Sequence, residues 1–177
     1  MATTKTTRDR LIRTAAIVIR TALILNRVFI AAVLIGELLA WLVPAPLANA
    51  LFGSNIASGL HSAIVGMRLE ILVGIIMGAL TEPLLTALAQ IVASTGQGDP
   101  FILANALRLR TIGWCLLGLQ LLGIPAMLLG RFFPVLGSGS SDFPFSFGGW
   151  ISVLMVFVLS RIFAAGAAMR DDLEGTV

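Results

Sequence analysis

The chain has 177 residues, 58% of them hydrophobic and 12% charged, with a formal net charge of +3 and a mean hydropathy of +0.99. Ordinary soluble domains hold roughly 45–50% apolar residues, so this composition excludes a soluble globular protein and leaves little chain for a separate soluble domain. One cysteine excludes an intramolecular disulfide, and one histidine with no tyrosine leaves few groups for acid–base or metal chemistry.

The pattern predicts an all-α integral membrane protein, a four-transmembrane-helix bundle with an N-terminal basic amphipathic interfacial helix. That first helix covers residues 8–24. At about 100° per residue, Arg10, Arg13, Arg20 and Arg27 fall with Thr14 and Thr21 inside an arc of about 140°, opposite Leu11, Ala15, Val18 and Ala22. A span takes about 20 mostly apolar residues, and the first runs over about 25–47. Its end, "PAPLANA", offers an Ala-x-Ala cleavage pattern. The long charged region before it, Glu37 inside the run and three later spans argue against cleavage.

Pro44, Pro46, Gly53 and Gly59 punctuate the following loop, which predicts a short interfacial helix. His61 there reads as a bystander. The second span, 69–93, carries Gly74 and Gly78 in a G-x-x-x-G ridge suited to close helix packing, and Pro83, which predicts a bend. In "STGQGDPFILANALRLR", Asp99 and Pro100 predict a helix start ahead of Arg108 and Arg110. The third span, 111–133, holds Cys115, read as a buried structural thiol, and Pro125. Phe143, Phe145, Phe147 and Trp150 introduce the fourth span, 147–169, as an interfacial aromatic belt. Residues 170–177 form a tail with Arg170, Asp171, Asp172 and Glu174.

Topology follows from the basic residues in the short flanks. Lys5, Arg8, Arg10, Arg13, Arg20, Arg108, Arg110 and Arg170 lie on one side, and Arg68 and Arg131 on the other. Both termini are therefore expected in the cytoplasm, with the protein multi-pass in the inner (plasma) membrane.

Charges inside spans are costly and call for partners. Counted from span starts at 69 and 147, Glu82 and Arg161 reach nearly the same depth, about 20 Å in. They are predicted to form an intramembrane ion pair, structural or gating, across a tight crossing of the Gly74–Gly78 ridge and the Ala164–Ala168 face. Glu37 and Glu70, with Arg68 as counter-ion, are read as a polar vestibule nearer the outside. No catalytic residues, metal site or cofactor are predicted: there is no ligand cluster, phosphate-binding loop or nucleophile elbow.

Two stretches, "GDPFILANALRLRTIGW" at 98–114 and "FAAGAAMRDDLEGTV" at 163–177, carry a family resemblance. In the first, Gly98, Pro100, Phe101, Arg108, Arg110, Gly113 and Trp114 fall at pattern positions; in the second, Phe163, Gly166, Met169, Arg170, Asp171, Asp172, Glu174, Thr176 and Val177 do. The chain resembles a bacterial four-transmembrane-helix family known as a domain of unknown function. Its members are often encoded beside a small Cro-like helix-turn-helix regulator. Leu173 and Gly175 depart from the pattern.

The expected function is therefore a non-enzymatic regulatory membrane protein that binds a cytoplasmic partner such as a small DNA-binding regulator. Its interaction surface would comprise Arg108, Arg110, Arg170, Asp171, Asp172 and Glu174, the tail acids pairing with Arg108 or Arg110. Alternatives are a small transporter or proton-coupled conduit using Glu82 and Arg161, and a structural subunit of a membrane complex. Partners are the lipid bilayer, a cytoplasmic protein and a second copy of the chain; direct nucleic-acid binding is not expected.

Overall fold

The computed structural model describes residues 2–53, 59–96, 101–133 and 146–174, with side chains from residue 10 onward except those of Asp171, Leu173 and Glu174. Five helices account for almost all of them: α1 (Ala2–Leu42), α2 (Pro44–Phe52), α3 (Leu60–Gly96), α4 (Leu103–Phe132) and α5 (Phe147–Glu174). No strand occurs among the described residues. Stretches of α1, α3, α4 and α5 are long and apolar enough to cross a membrane: Arg10–Leu42, Leu60–Gly96, Leu103–Phe132 and Phe147–Arg170.

The helix bounds correct several sequence expectations. Residues 8–24 run without a break into the apolar segment, because nothing interrupts the chain between the two. Both belong to α1, whose 41 residues extend about 60 Å, twice the roughly 30 Å of a bilayer's hydrocarbon. Helix α1 ends at Leu42, before the expected end of the first span at about 47. Pro44 disfavours helical geometry at Val43, which sits at φ −138°, and begins the predicted short helix α2 at its own first turn. Gly53, with φ +89°, closes α2 in a conformation that suits glycine. Helix α3 begins at Leu60, nine residues before the expected start of the second span. Arg108 and Arg110 lie within α4, after an extended Ile102 with no side-chain cap. Asp99 and Pro100, the predicted cap, lie outside the described residues, as do Gly98, Phe143, Phe145, Thr176 and Val177. Arg170 to Glu174 continue α5 instead of forming a detached tail.

The four long helices form an open row instead of a closed bundle. α1 packs on α3, α3 on α4 and α4 on α5, while α1 and α5 occupy opposite edges. Antiparallel register holds along each pair. Ile12 lies near Gly96, Ile30 against Gly78 and Val33 near Gly74, and Arg68 bonds the Ala40 carbonyl. On the next seam Asn105 bonds Ser94, Leu80 meets Gly118, and Phe133 covers Gly66. On the last, Phe101 meets Gly166, Ser160 bonds Ala106, and Gln120 bonds Ser146. The near end of the row carries the start of α1 and the end of α5; the opposite end is called the far end.

This register staggers α5. Its first residue is level with Gln120, so it begins about 18 Å short of the far end of α4. Towards the near end, α5 overruns the start of α4 at Leu103, and α1 overruns the end of α3 at Gly96. Leu34, Leu72, Leu121 and Leu154 are 51%, 50%, 47% and 67% exposed, so apolar surface faces outward along all four helices. Such surface is costly in water and suits the hydrocarbon of a bilayer.

The seam between α1 and α3 depends on Gly78, where a Cβ would lie 2.6 Å from Ile30 Cγ1. Gly78→Leu is expected to cost about 1–3 kcal/mol by overpacking, read as a lowered melting temperature in detergent. Gly36, with nothing within 4 Å of its own Cβ position, supplies the control: Gly36→Ala should melt no lower than the parent.

Candidate functional site

The most concentrated polar arrangement between the ends of the row joins α1 to α3. Asn26, almost fully buried, donates from Nδ2 to the Gly78 carbonyl at 3.2 Å and to Glu82 Oε2 at 3.0 Å. Arg27 Nε donates to the other carboxylate oxygen, Glu82 Oε1, at 2.9 Å. The side chains are 66% exposed at Arg27 and 30% at Glu82, so the pair sits at an open flank.

The local sequence explains the arrangement. Gly78 lets α1 approach, and its carbonyl is the one preceding that of Ala79, which loses its helical donor to Pro83. Thr81 and Thr86 brace the same stretch by donating to the Met77 and Glu82 carbonyls, each at 2.8 Å.

Glu82 therefore pairs with Arg27, not with Arg161. Two physical reasons separate the predicted partners. α3 and α5 are not neighbours in the row, and Arg161 is about 15 Å nearer the near end, since Ser160 is level with Ala106, whose neighbour Asn105 is level with Ser94. The Gly74–Gly78 ridge correspondingly receives Phe29, Ile30 and Val33 of α1 instead of the small-residue face of α5.

The second polar group joins α3 to α4. Asn105 is fully buried; its Nδ2 donates to Ser94 Oγ at 2.9 Å, and its Oδ1 accepts from Arg108 Nη1 at 2.7 Å. Arg108 Nε donates to Gln90 Oε1 at 3.0 Å. Glu82, Thr86, Gln90, Arg108 and Thr111 line a cleft of about 390 Å³ between the two helices. This cleft carries polar groups from Arg108 to the Glu82 pair. Sequence reasoning missed Asn26, Gln90, Ser94 and Asn105; the available signal was an amide or hydroxyl in a largely apolar helical run.

Arg110 and Arg161 lie elsewhere, along a groove between α4 and α5. The small residue Gly166 meets Phe101, which also stacks at 4.9 Å on Phe163.

At the far end the structure brings Glu37 and Arg68 near one another through Trp41. Trp41 Nε1 donates to Glu37 Oε1 at 3.1 Å, and the Arg68 guanidinium lies 4.6 Å from the Trp41 ring centroid while donating to the Ala40 carbonyl at 2.8 Å. Glu37 Oε2 and Arg68 Nε are buried without hydrogen bonds among the described residues. Glu70 lies two residues beyond Arg68 and is exposed.

At the near end Arg170 and Asp172 are exposed on α5, and the side chains of Asp171 and Glu174 lie outside the described set. The register separates these acids from Arg108 and Arg110. Gly166 is already level with Phe101, which places Asp172 about 20–23 Å along the axis from the two arginines. Arg108 is instead held by Gln90 and Asn105.

Together these placements form two charged belts. Arg20, Gln90, Arg108, Arg110 and Arg161 lie at one level, and Glu37, Trp41, Arg68, Glu70 and Arg131 at another. Along α1, Arg20 is about 26–32 Å from Glu37 to Trp41, matching a hydrocarbon thickness of roughly 30 Å. The Arg27–Glu82 pair falls between the belts.

Among the described residues no group of three or more His, Cys, Asp or Glu side chains could hold a metal ion. The fold and its belts define an all-α protein with four candidate transmembrane helices in multi-pass arrangement. Comparison with known proteins finds no matching family model, no similar curated protein and no similar solved structure.

The two ends of the Arg27–Glu82 contact should respond unequally. Arg27→Leu leaves the carboxylate with Asn26 alone and should lower the melting temperature in lipid nanodiscs more than Glu82→Gln. The double variant Arg27→Leu/Glu82→Leu should recover part of that loss, because both charges then leave the apolar layer together.

Proposed function

We propose that the chain is a non-enzymatic regulatory protein of a bacterial inner membrane, with both termini in the cytoplasm, that holds a cytoplasmic protein partner at the near end of the row. The single observation carrying this reading is the overrun of the two edge helices. α1 continues about 15 Å past Gly96 of α3, and α5 continues about 15 Å past Leu103 of α4. Two helical arms thus flank the shorter α3–α4 ends. Arg10 and Arg13 are exposed on one arm, and Arg170 and Asp172 on the other.

The excess of basic residues at this end supports the cytoplasmic assignment through the positive-inside rule. The resemblance of residues 98–114 and 163–177 to a family often encoded beside a Cro-like regulator supports a small DNA-binding protein as the partner. Exposed ion pairs contribute only about 0–1 kcal/mol each, which suits an association that is made and released.

The test is recovery of the partner from solubilised membranes with the full chain and with a chain lacking residues 170–177. Reduced recovery without that segment is expected; unchanged recovery of every partner removes the α5 arm from the surface.

A second reading, a proton-coupled conduit, is favoured by the α3–α4 cleft leading from Arg108 towards Glu82. Arg161 does not line that cleft, so the conduit would use Glu82 with Arg27. In proteoliposomes this reading expects proton flux that Glu82→Gln abolishes and Arg161→Gln leaves intact. A structural-subunit reading is favoured by the 66% exposure of Arg27 between the belts, a flank that a neighbouring chain would cover. It expects a companion membrane protein whose co-purification is lost in Arg27→Leu and retained without residues 170–177.

A further inference from the structure

The groove between α4 and α5 has features that neither the partner surface nor the Glu82 cleft uses. It encloses about 390 Å³ and is lined by Arg110 and Arg161 with Leu107, Trp114, Phe157 and Ser160. The two arginines come from facing helices, are both exposed, and make no hydrogen bond or ion pair among the described residues. Ser160 adds no free donor, since its hydroxyl donates to the Ala106 carbonyl at 2.9 Å. The polar capacity of the groove is therefore cationic.

Its remaining wall is apolar. Trp114, 56% exposed, meets Phe157 edge-on with ring centroids 5.3 Å apart and an interplanar angle of 79°. Phe157 in turn fills the space above Gly113, where a Cβ would lie 3.0 Å from its ring. This aromatic floor lies on the mid-layer side of the arginines, while Arg110 and Arg161 are level with the belt formed by Arg20 and Arg108. Cations thus stand where the apolar stretch begins, and an apolar trough runs from them towards its centre.

We propose that this groove is a binding site for an anionic phospholipid. The headgroup phosphodiester accepts hydrogen bonds from Arg110 and Arg161, and an acyl chain lies over Trp114 and Phe157. Guanidinium groups suit this role because they stay charged and present forked donors to phosphate oxygens. A basic pocket between spanning helices at the interface is where lipid charge can be recognised. A soluble anion would use the arginines but leave the aromatic trough without an occupant. The site goes beyond the proposed partner surface and does not depend on it.

The experiment uses the full chain purified in zwitterionic detergent, titrated with phosphatidylglycerol or phosphatidylcholine and read by native mass spectrometry. The parent protein should retain phosphatidylglycerol over phosphatidylcholine. Arg110→Gln/Arg161→Gln should weaken phosphatidylglycerol retention by about tenfold or more, and Arg131→Gln, at the other belt, should not. Millimolar inorganic phosphate should not displace the lipid. Equal retention of both lipids, an equal loss in Arg131→Gln, or displacement by inorganic phosphate overturns the proposal. A second measurement needs no charge-removing variant: phosphatidylglycerol should raise the melting temperature of the parent more than phosphatidylcholine, and Arg110→Lys/Arg161→Lys should reduce that difference. An identical shift with both lipids counts against the site.

Discussion

The seating of Asn26 and Arg27 on the Gly78–Glu82 turn of α3 is the constraint on which the rest of the row depends. Gly78 provides the close approach, Asn26 reads the carbonyl and carboxylate of that turn, and Arg27 neutralises the remaining carboxylate oxygen. A helix pair held only by apolar contacts in lipid gains little from the hydrophobic effect, because lipid tails are as apolar as leucine. Polar bonds of defined length therefore fix register where apolar side chains would permit sliding. The Ser94–Asn105–Arg108–Gln90 group does the same for α3 and α4, and Ser160 with Ala106 for α4 and α5.

The number of helices long and apolar enough to span a membrane was legible because apolar runs of this length have few alternative readings. The Gly74–Gly78 ridge was legible as a close-packing surface, but not its partner. A small-residue ridge states that some helix approaches, whereas Phe29, Ile30 and Val33 are unremarkable apolar residues until their helix is placed. The Glu82–Arg161 prediction failed at depth. It assumed that spans two and four begin at one level, while α3 starts at Leu60 and α5 is recessed to the level of Gln120. Stagger between helices is a property of the pair of surfaces, so no single helix encodes it. Arg27 continues the polar arc of Arg10, Arg13 and Arg20, and α1 carries it to Glu82 because its basic segment and its apolar segment are one continuous rod.

The belts change what the charged residues mean. Arg161 lies near the level of Arg20 and Arg110; in a bilayer matched to the two belts a guanidinium at that level would reach headgroups and water at little cost. The Arg27–Glu82 pair, about 10 Å inside that level, is the expensive one. Two desolvated charges offset each other only when close and well bonded, and here both carboxylate oxygens have donors. Removing one partner leaves the other charge in the apolar layer, which makes the pair more sensitive to single than to double replacement.

An open row differs from a closed bundle in one functional respect: every seam remains accessible from the sides. The α3–α4 cleft and the α4–α5 groove share Leu107 as a common wall, so both open on the same face, one beside the Glu82 pair and the other at the unpaired arginines. A closed bundle would have buried these groups against a fourth side and forced them to pair internally. Here α1 and α5 stand apart at the edges, so Arg110 and Arg161 keep their hydrogen-bonding capacity for something outside the chain. The same separation leaves the two edge helices free to project past their neighbours as independent arms. The absence of a substantial α1–α5 seam thus underlies both the open α4–α5 groove and the projection of the two edge helices at the near end.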